Sequence, residues 1–386
     1  QCDGFTASKF NAKEWADLFK RAGAQYVVLT SKHHDGVALF DTEYSDLSVV
    51  KKTPAKRDIV KEYTEAVREA GMKVGIYYSL IDWSDPRYRS VYPEGSDPKD
   101  HLQDVFATPA GGPEDPEKWE EFLEFNNNQM RELMTKYGKV DLLWFDGDWE
   151  RSAKQWKAKE FKAYLESLNP EVIVNSRLQG YGDYETPEQG IPLYGPEGVW
   201  EFCCTINDSW GYRPSDNDYK TSRQIIRMFC DCLTLGGKML LDVGPKEDGT
   251  LDERQVKVLE DLGTFIHDNE EAIYETEKGL SYSQFLGGST LSKDKKTIYL
   301  FVYDKPSENL CIKGVKTPVK RVTVLHTGEE LSFSYTGALP WSGIPGTLWI
   351  RADKMKEHPL VTVLKVELEG EITYNLGHGE VVTHND

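Results

Sequence analysis

From residue 12 to about 270, apolar positions recur in two alternating spacings. Trp15, Leu18, Phe19 and Ala22 fall at i, i+3, i+4 and i+7, one face of a helix that Gly23 closes. Tyr26-Val27-Val28-Leu29-Thr30 then runs without a helical period, as a strand buried on both faces does. Ile59, Tyr63, Ala66, Val67 and Ala70 mark a second helix ending at Gly71, and Lys73-Val74-Gly75-Ile76-Tyr77-Tyr78 a second strand. The acidic segment 114–137 reads as a longer helix and precedes a strand over Val140–Asp146. A helix over 153–168 leads to the strand Glu171–Asn175. Shorter strands are predicted near 198–202 and 238–243, with a helix over 218–234 between them. The last helix of the region, about 252–268, turns Leu259, Leu262 and Ile266 inward.

Strand–helix units of this length predict a parallel sheet with right-handed crossovers. A (β/α)8 barrel fits better than a dinucleotide-binding sheet, because no glycine-rich phosphate loop follows a strand and the unusual polar residues stand just after strand ends. With a weak strand near 183–186 the count reaches seven, which places the eighth before residue 1. After about 280 the texture changes. Thr297–Tyr303, Val322–Leu325, Thr347–Ile350 and Val361–Leu364 are short β-rich runs separated by Gly, Pro and Asp turns. The expected organisation is α/β, with a barrel over 1–280 and an antiparallel β-sandwich over 281–386.

Composition narrows the partners. Against 46 basic residues stand 64 acidic ones, a formal net charge of −18, which argues against nucleic acid or an anionic membrane surface. No apolar run approaches the ~20 residues of a membrane span. The opening Gln1-Cys2-Asp3-Gly4 has no signal-peptide pattern. Six cysteines in 386 residues do not make a disulfide scaffold. Cys203-Cys204 and Cys230-x-Cys232 are spaced too tightly for zinc, so buried free thiols are expected.

Candidate chemistry collects at the predicted strand ends. Leu142-Leu143-Trp144-Phe145 breaks at once into Asp146-Gly147-Asp148-Trp149, a carboxylate at the end of a buried strand with indoles beside it. Lys32-His33-His34-Asp35-Gly36 follows the first strand. Adjacent histidines on extended backbone point to opposite faces, which does not suit one metal, so they read as donors and acceptors for hydroxyl groups. Tyr77-Tyr78-Ser79 ends the second strand, Asn175-Ser176-Arg177 the fourth, and Trp200-Glu201-Phe202 with Asn207–Tyr212 adds an aromatic–polar loop. Glycoside hydrolysis needs two carboxyl groups, and Glu185 or Glu188 could partner Asp146; spacing alone selects neither. Asn207-Asp208-Ser209 is formally a glycosylation sequon, with an active-site loop as the other use.

Together these blocks resemble the α-L-fucosidases of glycoside hydrolase family 29. The resemblance is carried by Ala22-Gly23-Ala24 with Leu29–Gly36, by Gly75–Ser79, by Leu143–Trp149, by Asp183-x-x-Thr186-x-Glu188, and by Met239–Gly249 with Ala272-Ile273-Tyr274. It implies Asp146 as nucleophile and Glu188 as acid/base. It also implies a fucose pocket lined by His33, His34, Tyr78, Arg177 and Trp210, in a barrel followed by a sandwich. The implied reaction is retaining release of L-fucose from fucosylated oligosaccharides or glycoconjugates, with no metal and no cofactor. A related α-L-galactosidase and a non-catalytic fucose-binding protein are the alternatives. A periplasmic or secreted setting follows from the substrate class. Two departures stand out: the Ile-His-Trp-Gly-like strand and Glu-Trp segment with which family members begin have no counterpart, and Asp242 stands where the family usually has Asn.

Overall fold

The structure is a computed structural model that describes residues 2–88, 115–341 and 343–377. The chain divides into two compact units, Gln1–Thr186 with Val243–Val256, and Pro187–Asp242 with Lys257–Asp386.

In the first unit, strands and helices alternate: α1 (Ala12–Arg21), β1 (Tyr26–Lys32), α2 (Val49–Lys52), α3 (Ile59–Glu69), β2 (Lys73–Ser79), α4 (Pro116–Lys136), β3 (Leu142–Asp146), α5 (Ala158–Leu168) and β4 (Ile173–Val174). Helices α1, α3 and α4 start where side-chain acceptors stand. Asn11 accepts from the backbone N–H groups of Lys13 and Glu14, Asp58 from that of Lys61, and Asp115 from those of Glu117 and Lys118, ahead of Pro116. The four strands form one parallel sheet in the order β1-β2-β3-β4. Val74, Ile76 and Tyr78 alternate onto the helix-covered face, where the core includes Val60, Tyr63 and Val67 of α3 and Phe122 and Leu133 of α4. The expected strand near 183–186 survives as an isolated bridge from Tyr184 to Asn175.

The second unit begins with a parallel pair, β5 (Glu201–Thr205) and β6 (Lys238–Asp242), linked by α6 (Ser222–Thr234). Thr221 and Gln224 cap α6 reciprocally, each side chain bonding the other's backbone N–H. After α7 (Glu253–Asp268) come β7 (Thr276–Lys278), β8 (Gly288–Ser292), β9 (Thr297–Val302), β10 (Leu310–Ile312), β11 (Val319–Val324), β12 (Phe333–Thr336), β13 (Thr347–Ile350) and β14 (Thr362–Leu368). They form antiparallel sheets of five strands (β11-β14-β9-β8-β7) and three (β10-β13-β12). Alternation on β9 sends Ile298 and Leu300 into an apolar core shared with Ile312, Leu348 and Ile350 of the smaller sheet. Tyr299 and Phe301 go the other way, against Ile226 of α6 and Phe265 of α7. The chain is thus mixed α/β with antiparallel sheets at its C-terminal end. Cys203, Cys204, Cys230 and Cys232 are buried as expected, and burial pushes the thiols of Cys204 and Cys232 up to about 12.

Candidate active site

The phase of β2 and β3 decides which side chains reach the site. The strands pair in parallel with Tyr77 opposite Trp144 and Ser79 opposite Asp146. Those four residues share the face turned away from the helices, and the rings of Tyr77 and Trp144 stack at 5.5 Å. Tyr78 and Phe145 point to the opposite face; Phe145 packs on Phe161 of α5. Strand β4 is too short to continue the ladder alongside Phe145, and buried Asn175 takes its place. Its Oδ1 accepts from the Phe145 N–H (2.9 Å) and its Nδ2 donates to the Phe145 carbonyl (2.9 Å), imitating a strand residue. The residue preceding Asp146 is therefore held on both sides. Gly147 follows at φ 84°, where a Cβ would lie 2.8 Å from Ile81 Cγ1, so glycine is required for the chain to leave the strand there.

Asp146 is 8% exposed, and both of its oxygens are engaged. Arg177 Nη1 donates to Oδ1 at 2.7 Å and the Tyr77 hydroxyl donates to Oδ2 at 2.8 Å. The Arg177 guanidinium lies over the Trp144 ring, 4.4 Å from its centroid, so indole and arginine orient one another. The turn carrying Arg177 is tied to the turn after β3. Asp148 Oδ2 accepts from the Gln179 backbone N–H (2.7 Å), and Gln179 Nε2 donates to the Asp148 carbonyl (2.9 Å). Burial raises the Asp148 carboxyl above the usual range.

His33 and His34 lie beyond the end of β1, in a turn closed by the Gly36 N–H donating to the His33 carbonyl (3.0 Å). Strand alternation therefore does not separate them. The expectation of opposite faces is corrected: their ring centroids are 4.1 Å apart, and His33 also stacks on Tyr77 at 5.7 Å. Among the described residues, His33, His34 and Asp146 form a group whose ligand atoms lie within 4.8 Å of one another, a donor set with the reach for a metal ion. The partners already present assign these atoms to hydroxyl recognition equally well. His34 Nδ1 is 2.6 Å from Ser79 Oγ, whose own proton goes to the Ile81 carbonyl at 2.7 Å. The imidazole is thus the donor at Nδ1, and its Nε2, 3.5 Å from Asp146 Oδ2, carries a lone pair. Burial first, and then the neighbouring charge of His33, push His34 down to about 3, so the ring is neutral at ordinary pH. A neutral Nε2 beside a carboxylate oxygen presents two acceptors to the hydroxyls of a sugar. Trp83 (5.1 Å) and Trp149 (5.9 Å) wall the ring.

Tyr78, named above as a pocket residue, is not one. Its side chain is fully buried, its hydroxyl donates among Asn126 Oδ1 (2.9 Å) and Gln129 Oε1 (2.7 Å) of α4, and Tyr77 stands beside Asp146 in its stead. The period of two could have told the two apart: Val74, Ile76 and Tyr78 continue one apolar series, while Tyr77 shares its phase with Gly75 and Ser79. Trp144, which props Arg177, carries the same kind of signal, two residues before Asp146.

Glu188, Trp210 and Asp242 belong to the second unit. Glu188 is exposed and bridges to Cys203 of β5 in parallel register, followed by Gln189 at φ 58°. Glu185 is exposed as well. Trp210 is 43% exposed in the loop after β5. Asn207 of the sequon is buried, and its Nδ2 donates to Asp216 Oδ2 (2.8 Å) and the Ser209 carbonyl (3.0 Å), a structural use of the side chain. Asp242 ends β6 with a buried Oδ2 that has no hydrogen-bond partner among the described residues, and burial raises its carboxyl to about 7.

A sequence profile described as Alpha-L-fucosidase matches residues 1–271. Over 320 residues the chain is 31% identical to an alpha-L-fucosidase of Dictyostelium discoideum, an alignment covering 80% of this chain and 65% of that protein. It is 34% identical over 286 residues to the plasma alpha-L-fucosidase of Homo sapiens, covering 70% and 56%. The chain thus spans less than two thirds of the length of these relatives. Among solved structures, alpha-L-fucosidase isoenzyme 1 from Paenibacillus thiaminolyticus superposes with a TM-score of 0.82 at 31% identity, covering 95% of this chain and 89% of that one. A GH29 alpha-L-fucosidase from Bacteroides thetaiotaomicron, trapped as a covalent intermediate in complex with 2-fluoro-fucosyl fluoride, gives 0.81 at 29% identity, covering 96% and 84%.

Proposed function

The chain belongs to the alpha-L-fucosidase family, and on that premise we propose that it is a retaining exo-glycosidase that releases L-fucose from α-fucosylated glycans or glycoconjugates. In this reading Asp146 attacks the anomeric carbon while Glu188 protonates the departing glycosidic oxygen. Glu188 then takes a proton from water as that water displaces fucose from Asp146. The observation that carries the proposal is the setting of Asp146: a carboxylate at the C-terminal end of a parallel strand, oriented by Arg177 and Tyr77 and facing the paired histidines. His33, His34 and Tyr77 would bind the sugar hydroxyls, and Trp210 would contribute from the loop after β5. The assignment of Glu188 over Glu185 follows the Asp183-x-x-Thr186-x-Glu188 segment. We take the strand–helix part, residues 1–280, as a (β/α)8-type catalytic barrel and residues 281–386 as a β-sandwich. The parallel order β1-β2-β3-β4 and the two antiparallel sheets support this division. The relatives, named as α-L-fucosidases, support fucose over L-galactose as the sugar.

Aryl α-L-fucoside hydrolysis by the wild type, Asp146→Ala and Glu188→Ala tests the assignment. Each variant is expected to lose on the order of 10³-fold or more in the step it serves. Azide should rescue Asp146→Ala and yield an inverted glycosyl azide. A fully active Asp146→Ala enzyme would refute the nucleophile, and a wild type that binds fucose without turnover would refute the enzyme.

A further inference from the structure

The ammonium of Lys32, the last residue of β1, is wholly inaccessible, and it pairs with Asp82 Oδ2 at 3.2 Å, a carboxylate 3% exposed. It lies over the rings of Tyr78 (4.4 Å) and Phe125 (5.3 Å), on the helix side of the sheet and away from Asp146. A buried ion pair of this kind is weak evidence for stability, since an apolar pair of the same volume does as well. What it joins is more informative. Asp82 Oδ1 accepts from the Ser84 N–H (3.0 Å), the Ser84 hydroxyl (2.7 Å) and the Asp85 N–H (3.2 Å), which folds the turn after β2. That turn reaches back to the histidines, because the Trp83 N–H donates to the His34 carbonyl at 2.8 Å. The two turns also meet at Gly36, φ 81°, where a Cβ would fall 2.4 Å from Asp82 Oδ1 and 2.1 Å from Ser84 Oγ.

We infer that the buried Lys32–Asp82 pair is a positioning device for His33 and His34, fastening their turn to the turn after β2 so that His34 Nε2 faces Asp146. The inference rests on the fucosidase reading for its consequence in catalysis. The groups around the His34 ring are His33, Lys32, Ser79, Trp83, Asp146, Trp149 and Arg177. Lys32 acts on the histidines through the turn it fastens and touches no substrate.

The test compares the wild type, Lys32→Met, Lys32→Arg and the double variant Lys32→Met/Asp82→Asn, which leaves no lone buried charge. Two readouts apply: kcat/KM on an aryl α-L-fucoside across pH, and the imidazole nitrogen signals of ¹⁵N-histidine-labelled protein. The double variant is expected to melt close to the wild type yet lose about tenfold or more in kcat/KM, chiefly through KM. Lys32→Arg, which keeps a cation for Asp82 to pair with, is expected to be intermediate in kcat/KM. The double variant's His34 nitrogen signals should lose the single-tautomer pattern of the wild type, in which Ser79 Oγ holds the proton on Nδ1. A double variant with wild-type kcat/KM, or with His34 signals unmoved from the wild type, would overturn the positioning role. The nitrogen signals need no turnover, so an inactive wild type would sink the fucosidase reading while this inference is still decided.

Discussion

Tyr77 and Tyr78 are neighbours in sequence with opposite duties, and replacing each by Phe separates catalysis from stability. Tyr77→Phe removes the 2.8 Å donor to Asp146 Oδ2 and leaves the stacking on Trp144 and His33 in place. Hydrogen bonds to charged groups contribute about 1.5–3 kcal/mol, and the carboxylate would keep only Arg177 to fix its rotation. If half of that energy serves the transition state, kcat/KM falls by about 4- to 12-fold, with Tm nearly unchanged. Tyr78→Phe instead strips a fully buried hydroxyl whose single proton is shared between Asn126 Oδ1 and Gln129 Oε1 in a site closed to water. Leaving buried acceptors unsatisfied costs about 1–3 kcal/mol, a Tm loss of several degrees, while kcat/KM stays within about twofold. Aryl α-L-fucoside kinetics and thermal melts on the same three preparations decide it. A Tyr78→Phe enzyme that melts normally but is kinetically crippled would show that the phase assigned to β2 is wrong.

Three further outcomes follow from the same geometry. Asp242 is raised to about 7 in the folded chain against an ordinary 3.8, so the unfolded chain loses its proton first as pH rises and stability falls between those values. Asp242→Asn should therefore raise Tm at pH 8 by the equivalent of on the order of 1–3 kcal/mol and change little at pH 4; equal effects at both pH values would refute the burial argument. Asn175→Ala leaves the N–H and carbonyl of Phe145 without their partners and should cost about 2–4 kcal/mol in chemical denaturation, with activity falling because Asp146 is next in line. Gly147→Ala forces a left-handed backbone onto a residue whose Cβ meets Ile81, for a loss of about 1–3 kcal/mol; a variant as stable as the wild type would mean that the turn is soft.

Much of the fold is legible because helix faces and buried strands leave different periods. Trp15, Leu18 and Ala22 on α1, and Ile59, Tyr63, Ala66 and Val67 on α3, announce their helices, and the apolar runs of β1 and β3 announce parallel strands. Short elements are less legible. Strand β4 is two residues long, and what continues it is the Asn175 side chain, a substitution of side chain for backbone that no hydropathy pattern encodes. The segment around Tyr184 fails for the same reason, since a single bridge needs no run of apolar residues.

The site divides along a similar line. Residue types flag it: Asp146, Arg177 and the histidine pair each stand just past a strand end, and the structure brings these four together. Orientation is the harder part, because the point at which strand alternation stops is not written in the residue types. For His33-His34, alternation ends one residue earlier than an extended reading assumes. The ladder from β1 ends at Lys32, the turn rotates the next two residues onto the same side, and two imidazoles become one acceptor surface. For Tyr77-Tyr78, the resemblance implies Tyr78, while the alternation of Val74, Ile76 and Tyr78 declares the helix side and leaves Tyr77 to the site. A strand end is thus readable only when its last paired residue is known. Here that residue is Lys32, whose buried ammonium sits on the helix face and whose neighbour turns to Asp146. The sharp change of direction between positions 32 and 33 is what places a charge behind the histidines and leaves their nitrogens in front.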